Sequence, residues 1–410
     1  MHLRSDAEFI MQEALQAVLP DQAVARALRE KQFGEGKVIL VAIGKAAWQM
    51  AKTAVEILDE KLTGGIVITK YEHSKGALKG LEIWEAGHPV PDANSFKATE
   101  RAIAMTENLQ PEDTVVFLIS GGGSALFEKP LIAEAQLQQL TNAMLASGAD
   151  IVEMNTIRKR LSAVKGGKFA KLCAPAQVYA VVLSDIIGDP LDMIASGPAY
   201  PDSSTASDAE AIVKKYNLQL SLEAQALLQE ETPKELTNVA TIITGSVREL
   251  CKAGSTACAK LGYEPMVLTD SLTCEAKDAG SFLGSLADYY SKGDKSIAFL
   301  AGGETIVKII GSGKGGRNQE MAIASAKKIA GMDKVAVFSF GSDGTDGPTD
   351  AAGGYVDGTT VAQLAQKGLT VDQVLAENNA YAALEQTGGL LKTGATGTNV
   401  NDLSVVLIRK

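Results

Sequence analysis

The chain has 410 residues, 46% of them hydrophobic and 21% charged, enough to bury a large core and above the size at which one core usually divides, so two domains are expected. A formal net charge of −10 excludes nucleic acid or an anionic membrane surface as the main partner, because both select a basic face. An anionic small molecule remains admissible where cations are concentrated locally.

Segment 1–20 carries Arg4, Asp6, Glu8 and Glu13 among its apolar residues. It has neither the apolar stretch of a signal peptide nor the length of a membrane span, and it reads as an amphipathic helix of a cytoplasmic protein. Apolar runs rich in Val and Ile then recur at 38–43, 65–69, 114–119, 178–183, 239–244, 265–269, 296–301, 335–340 and 403–408. Runs without alternation are the pattern of strands buried on both faces. Segments such as 46–58, 95–108, 246–261 and 318–329 place apolar residues at helical spacing. The alternation predicts an α/β fold with ligand loops at the carboxyl ends of strands. The polar stretch 229–238 marks a boundary near residue 235, giving domains 1–235 and 236–410 with an active site in the cleft between them. Cys173, Cys251, Cys258 and Cys274 show no Cys-x-x-Cys spacing, so reduced thiols are expected.

The loops after these runs carry the chemistry. The first is Gly44-Lys45-Ala46-Ala47, which sets Lys45 beside a helix start, where anions are already favoured. The third strand run ends in Ser120-Gly121-Gly122-Gly123-Ser124, whose glycines let backbone N–H groups close on a carboxylate or phosphate. Ser184-Asp185-Ile186-Ile187-Gly188-Asp189-Pro190 is acidic, and Gly302-Gly303-Glu304-Thr305 offers Glu304 to a metal or nucleotide. A helix opens from a loop containing Lys314, Gly315, Gly316 and Arg317. That loop lacks the Gly-Lys-Ser/Thr end of a Walker A motif, yet its glycines and cations suit a polyphosphate. The bidentate fork of Arg317 makes it a better transition-state contact than Lys314. Gly341-Ser342-Asp343-Gly344-Thr345-Asp346-Gly347 has carboxylates able to hold Mg²⁺ alongside phosphate oxygens, although Asp-Gly pairs are also ordinary turn formers. His88, in Gly87-His88-Pro89-Val90-Pro91-Asp92, has no Ser or Cys at a diagnostic spacing and reads as a structural histidine.

Together and in order, these loops, with Ala195-Ser196-Gly197-Pro198 and Gly315-Gly316-Arg317-Asn318-Gln319-Glu320, resemble the glycerate 2-kinases that end in a MOFRL domain. The resemblance implies a Rossmann-like first domain and a second, MOFRL α/β domain. It also implies ATP with Mg²⁺, transfer of the γ-phosphoryl group to the C2 hydroxyl of D-glycerate, and Lys45 and Arg317 as the principal catalytic cations. On this reading Ser120, Gly121, Gly122, Gly123 and Ser124 hold the glycerate carboxylate, while Lys314, Gly315, Gly316 and Glu304 attend the phosphates. Asp189 accepts the hydroxyl proton and Asp185, Asp343 and Asp346 hold the metal, although spacing alone leaves base and metal roles open among these four. D-glycerate and ATP are the expected partners, and a homodimer is an admissible assembly.

Where family members show Lys-His-Leu-Ser, this chain has Lys159-Arg160-Leu161-Ser162, ahead of Lys165-Gly166-Gly167. Many relatives carry the name hydroxypyruvate reductase, which supplies the alternative activity. Such a reductase using NAD(P)H should show Gly-x-Gly-x-x-Gly between a strand and a helix, with an acidic residue about twenty positions on. No segment here has that context.

Overall fold

The computed structural model describes residues 3–410, so Met1 and His2 of the expected N-terminal helix lie outside the described residues. The chain divides into two units. One comprises Ala23–Leu183 and Asp189–Thr244; the other comprises 3–22, Ser184–Gly188 and Gly245–Lys410.

In the first unit, strands β1 (Val38–Ile43), β2 (Leu62–Lys70), β3 (Leu81–Ala86), β4 (Thr114–Ile119), β5 (Gln177–Leu183) and β6 (Val239–Gly245) form one sheet in the order β3-β2-β1-β4-β5-β6. The pairs from β3 through β5 run parallel. The reason the runs lack alternation is visible in β1. Ile39, Val41 and Ile43 enter a core on one face of the sheet, and Val38, Leu40 and Ala42 enter another on the opposite face. This strand order is Rossmann-like and reverses between β1 and β4, so the loops leaving those two strands open at the topological switch point. Helices Glu134–Ala146, Ile151–Arg160, Ala206–Lys215 and Leu222–Gln229 add a smaller core around Leu137, Leu140, Ile157 and Ile212.

The second unit holds β7 (Glu264–Leu272), β8 (Ile297–Gly303), β9 (Val335–Gly341), β10 (Gly353–Asp357), β11 (Leu390–Leu391) and β12 (Asp402–Ile408), ordered β11-β10-β9-β12-β8-β7. Strands β7 and β8 pair in parallel, whereas β12 runs antiparallel to both β8 and β9. Again both faces are covered, with Leu403, Val405 and Leu407 of β12 in one core and Val406 and Ile408 in the other.

The expected division at residue 235 differs from these units in three places. Helix Leu3–Val18 presents Ala7, Ile10, Met11, Ala14, Leu15 and Val18 as one stripe, and that stripe completes a core of the second unit. Residues 184–188 also belong to the second unit, and the changeover falls after β6, which is an edge strand of the first sheet. Run 265–269 was expected to be buried on both faces, but β7 is a sheet edge with Met266, Val267 and Leu268 exposed. Strands β3 and β10 lack the apolar run that marks the others, because Glu82 and Glu85 interrupt the first and two glycines open the second. Among the described residues no helix is long and apolar enough to cross a membrane. All four cysteines are free thiols, and burial pushes Cys173, Cys251 and Cys258 up to about 12.

Candidate active site

Within the first unit, the loops after β1 and β4 are stitched together. Ser120 Oγ accepts the Ala46 N–H at 3.1 Å and donates to the Ile43 carbonyl at 3.1 Å, while the Lys45 N–H donates to the Gly121 carbonyl at 2.9 Å. The Ser120 hydroxyl is therefore used in joining the loops. Gly44 has to be glycine there: its φ is +110°, and a Cβ would stand 2.3 Å from Ser120 Oγ. A Cβ on Gly122 would meet His88 at 3.0 Å and Lys45 at 3.3 Å, so Gly122, Lys45 and His88 form one surface. Burial, then the Lys45 charge, hold the His88 imidazole below its ordinary pKa, which keeps it neutral beside the lysine.

Ser124 Oγ lies 2.9 Å from Ser196 Oγ, which donates to Asn155 Oδ1 at 3.0 Å. Ala195, Ser196 and Gly197 all have positive φ, a strained run that the surrounding structure holds in place. Behind them Lys165 is buried, donating to the Ser124 and Phe127 carbonyls at 2.8 and 2.9 Å and pairing with buried Glu128 at 3.2 Å. Burial lowers Lys165 to about 8 against the opposing pull of Glu128. Asp189 has φ +52°, and one of its carboxylate oxygens is buried without a hydrogen-bond partner. Arg160, which stands where the resemblance expects histidine, is fully buried and donates to Thr156 and Ser204.

In the second unit, strand direction creates the cluster. Because β12 is antiparallel to its neighbours, its first residue, Asp402, is in register with Gly303 at the end of β8 and Gly341 at the end of β9. Helix Arg317–Ile329 begins at the same end. Arg317 donates Nε–H to Asp402 Oδ2 at 2.5 Å and an Nη–H to Oδ1 at 3.0 Å, and its other Nη sits 3.0 Å from Glu304. Burial opposes the guanidinium's charge, but Asp402 and then Glu304 outweigh it and hold Arg317 more firmly protonated than usual. Asn401 donates to Glu304 and to the Asp185 carbonyl, both at 3.2 Å.

Asp346 anchors the start of the Arg317 helix. It accepts the Asn318 and Gln319 N–H groups at 3.2 and 2.8 Å, so a carboxylate from another loop already occupies the helix N-terminus. Gly316 must lack a side chain, since a Cβ would stand 2.3 Å from the Asp346 carboxyl carbon. Asp343 Oδ1 accepts the Thr345 N–H at 3.0 Å. Lys314 projects over the Tyr381 ring at 4.4 Å. Among the described residues no group of three or more His, Cys, Asp or Glu forms a metal cage. Mg²⁺ bound with phosphates needs only one or two carboxylates, so the acids here fit that mode alone.

Burial pushes Asp346 up to about 7 despite the two backbone donors. Between roughly pH 4 and that value the unfolded carboxyl is ionised while the folded one is protonated, so rising pH favours unfolding. Relative to Asp346→Asn, wild-type stability is expected to fall across this window and then level off. Denaturant unfolding at a series of pH values checks it, and parallel curves would return the folded carboxyl to its ordinary range.

Asp402, Asn401, Ser196, Asn155 and Lys165 are constituents that sequence reasoning did not assign. Asp402 has a signal, a lone carboxylate heading an apolar run, while Ser196 and Lys165 stand in Ala195-Ser196-Gly197-Pro198 and Lys165-Gly166-Gly167, whose local pattern assigns them no role.

Residues 6–229 match the family described as a domain of unknown function, DUF4147, and residues 297–402 match the MOFRL family. The chain is 48% identical over 405 residues to the D-glycerate 2-kinase of Thermotoga maritima, covering 97% of each sequence. The crystal structure of a glycerate kinase from Thermotoga maritima superposes with a TM-score of 0.95 at 47% identity, covering 99% of each chain. A protein of Agrobacterium vitis, named only provisionally as a hydroxypyruvate reductase, is 36% identical over 97% of this chain and 93% of its own.

Proposed function

The chain belongs to the glycerate 2-kinases that end in a MOFRL domain, and from that premise we propose that it transfers the γ-phosphoryl group of ATP to the C2 hydroxyl of D-glycerate, giving 2-phosphoglycerate and ADP. The observation that carries the reading is the pair of cation-bearing loops at strand ends: Lys45 at the switch point of the first sheet, and Arg317 clamped by Asp402 in the second unit. Phosphoryl transfer asks the protein mainly for positioning and charge stabilisation, which such loops supply.

In this reading the loop of Gly121, Gly122, Gly123 and Ser124 receives the glycerate carboxylate beside Lys45, with Ser120 holding the loop in shape. Lys45 and Arg317 neutralise the phosphoryl oxygens. Asp189, whose buried oxygen lacks a partner, takes the proton of the C2 hydroxyl. Asp343 and Asp185 are the two carboxylates that would hold Mg²⁺ among phosphate oxygens, with Glu304 remaining on Arg317; Asp346 serves the helix instead. Mg²⁺ would supply charge neutralisation on the nucleotide phosphates. The reductase alternative draws no support from the first strand-to-helix turn, which is Gly44-Lys45-Ala46-Ala47 where a dinucleotide site needs Gly-x-Gly-x-x-Gly.

The deciding experiment incubates the protein with ATP, Mg²⁺ and D-glycerate and separates 2-phosphoglycerate from 3-phosphoglycerate. Oxidation of NADH or NADPH by hydroxypyruvate, with no ATP-dependent product, would sink the proposal. A narrower expectation concerns the metal. Asp343→Asn should raise the Mg²⁺ concentration for half-maximal rate about tenfold, since one of very few protein ligands is weakened. An unchanged Mg²⁺ titration would leave Asp343 a turn residue.

A further inference from the structure

Phosphate handling leaves one feature of the second unit unexplained. Beside the glycine-rich loop lies a pocket of about 630 Å³, within the range of small-molecule sites. Its apolar lining comes from Ile187, Ile306, Val307 and Ile309, and Arg317 lines the same pocket. Ile306 and Ile309 are 60% and 81% exposed, although the branched aliphatic side chains of β9 and β12 are packed in cores. Single exposed isoleucines are ordinary, but a concave wall of them beside a cationic loop is not.

Two polar groups in the lining point the same way. Thr305 is 4% exposed, and its hydroxyl has no hydrogen-bond partner, which is costly unless a ligand supplies one. Glu320 is likewise buried, accepting from Asn378 Nδ2 at 3.2 Å. Asn378 also fixes the wall, its Oδ1 accepting the N–H groups of Ile310 and Gly311 at 2.7 and 2.9 Å. The pocket is thus preformed, with an isoleucine-rich wall, buried Thr305 and Glu320, and the charged Glu304 and Arg317. A small polyhydroxy acid has no use for isoleucine walls, whereas a flat heteroaromatic ring does.

Building on the kinase reading, we propose that this pocket seats the adenine ring of the nucleotide, with the isoleucines against its faces, Glu320 accepting from its exocyclic amine, and the Thr305 hydroxyl donating to a ring nitrogen. The phosphates then run along the loop of Gly313, Gly315 and Gly316 toward Arg317.

The test uses ADP and inorganic tripolyphosphate as probes, with binding measured by calorimetry on the full chain without glycerate. The variant Ile306→Ser/Ile309→Ser changes exposed side chains and should fold normally. It is expected to weaken ADP about tenfold or more while tripolyphosphate binding stays the same. In kinase assays KM for ATP should rise with KM for glycerate unchanged. Thr305→Val removes no internal hydrogen bond, so it should not destabilise the protein, yet it should weaken ADP severalfold. Unchanged ADP affinity in the isoleucine variant overturns the proposal. So does equal weakening of ADP and tripolyphosphate, which would assign the effect to the phosphate loop. A changed oligomeric state with ADP affinity intact overturns it as well, by making the wall an interface between copies. Failure of the wild-type protein to phosphorylate glycerate would instead sink the kinase reading, since ADP binding judges the pocket independently.

Discussion

Arg317→Lys is expected to lower kcat roughly a hundredfold or more while the protein still folds, because losing one preorganised charge contact costs a few kcal/mol of barrier. The geometry explains why lysine cannot substitute. The guanidinium uses two nitrogens on Asp402 and a third on Glu304, and those bonds set the orientation of whatever N–H groups remain for a phosphoryl oxygen. An ammonium is a point charge without that fork. Lys314→Ala is the control. Its ammonium lies over Tyr381, so its loss should change kcat by no more than a few fold. Steady-state kinetics on both variants, with KM and kcat resolved, checks the contrast. Near-wild-type kcat in Arg317→Lys would leave Lys45 as the sole catalytic cation.

Asp202→Ala should cost about 3–5 kcal/mol of unfolding free energy, the scale of breaking a buried ion cluster from one side. Asp202 is buried against Lys159 at 3.0 Å and Arg160 at 3.7 Å, and the side chains of all three are nearly inaccessible. Its carboxylate also accepts from Thr232 and Ser204. Burial works against its charge, yet Lys159 and the surrounding donors hold its pKa below the usual carboxylate range. Removing it takes away the carboxylate that the two buried cations share, leaving Lys159 only Asp192 and Arg160 only the half-exposed Glu231, each at 3.4 Å. By contrast, Lys327→Ala breaks only an exposed bridge to Asp372 and should change stability by about 0–1 kcal/mol. Urea unfolding of both variants decides this, and equal small effects would mean that water reaches the Asp202 cluster. Lys159 also reaches Asp192 at 3.4 Å, so the same cluster supports the segment that leads to the strained Ser196 turn.

Composition and pattern were sufficient for the strands buried on both faces, because a strand with cores above and below it has no polar positions to alternate. They also located the loops that follow β1, β4, β8 and β9, since glycine and charged residues directly after such a run mark the point where the chain leaves the core. Two kinds of feature escaped. Strand β3, interrupted by glutamates, and the glycine-opened β10 lack the continuous run, while β7 shows the run but not its place at the sheet edge. Residues whose role comes from a distant partner are the other kind: Asp402 stands out as a carboxylate heading an apolar run, but nothing local points to Arg317 as its partner, and Ser196 carries no mark of its role.

What the sequence determined by itself was therefore the α/β class, the loops bearing Lys45, Gly121, Gly122, Gly123 and Arg317, and the family order in which they come. Each is a local property, a run of apolar side chains or a short string of glycines and charges. Tertiary structure alone decided that Asp402 clamps Arg317, that Asp346 caps the Arg317 helix, and that the stripe of Leu3–Val18 fills a core of the C-terminal unit. Those outcomes depend on strand direction and register. Because β12 runs antiparallel between β8 and β9, a residue 85 positions from Arg317 becomes its hydrogen-bond partner, and no spacing along the chain encodes that.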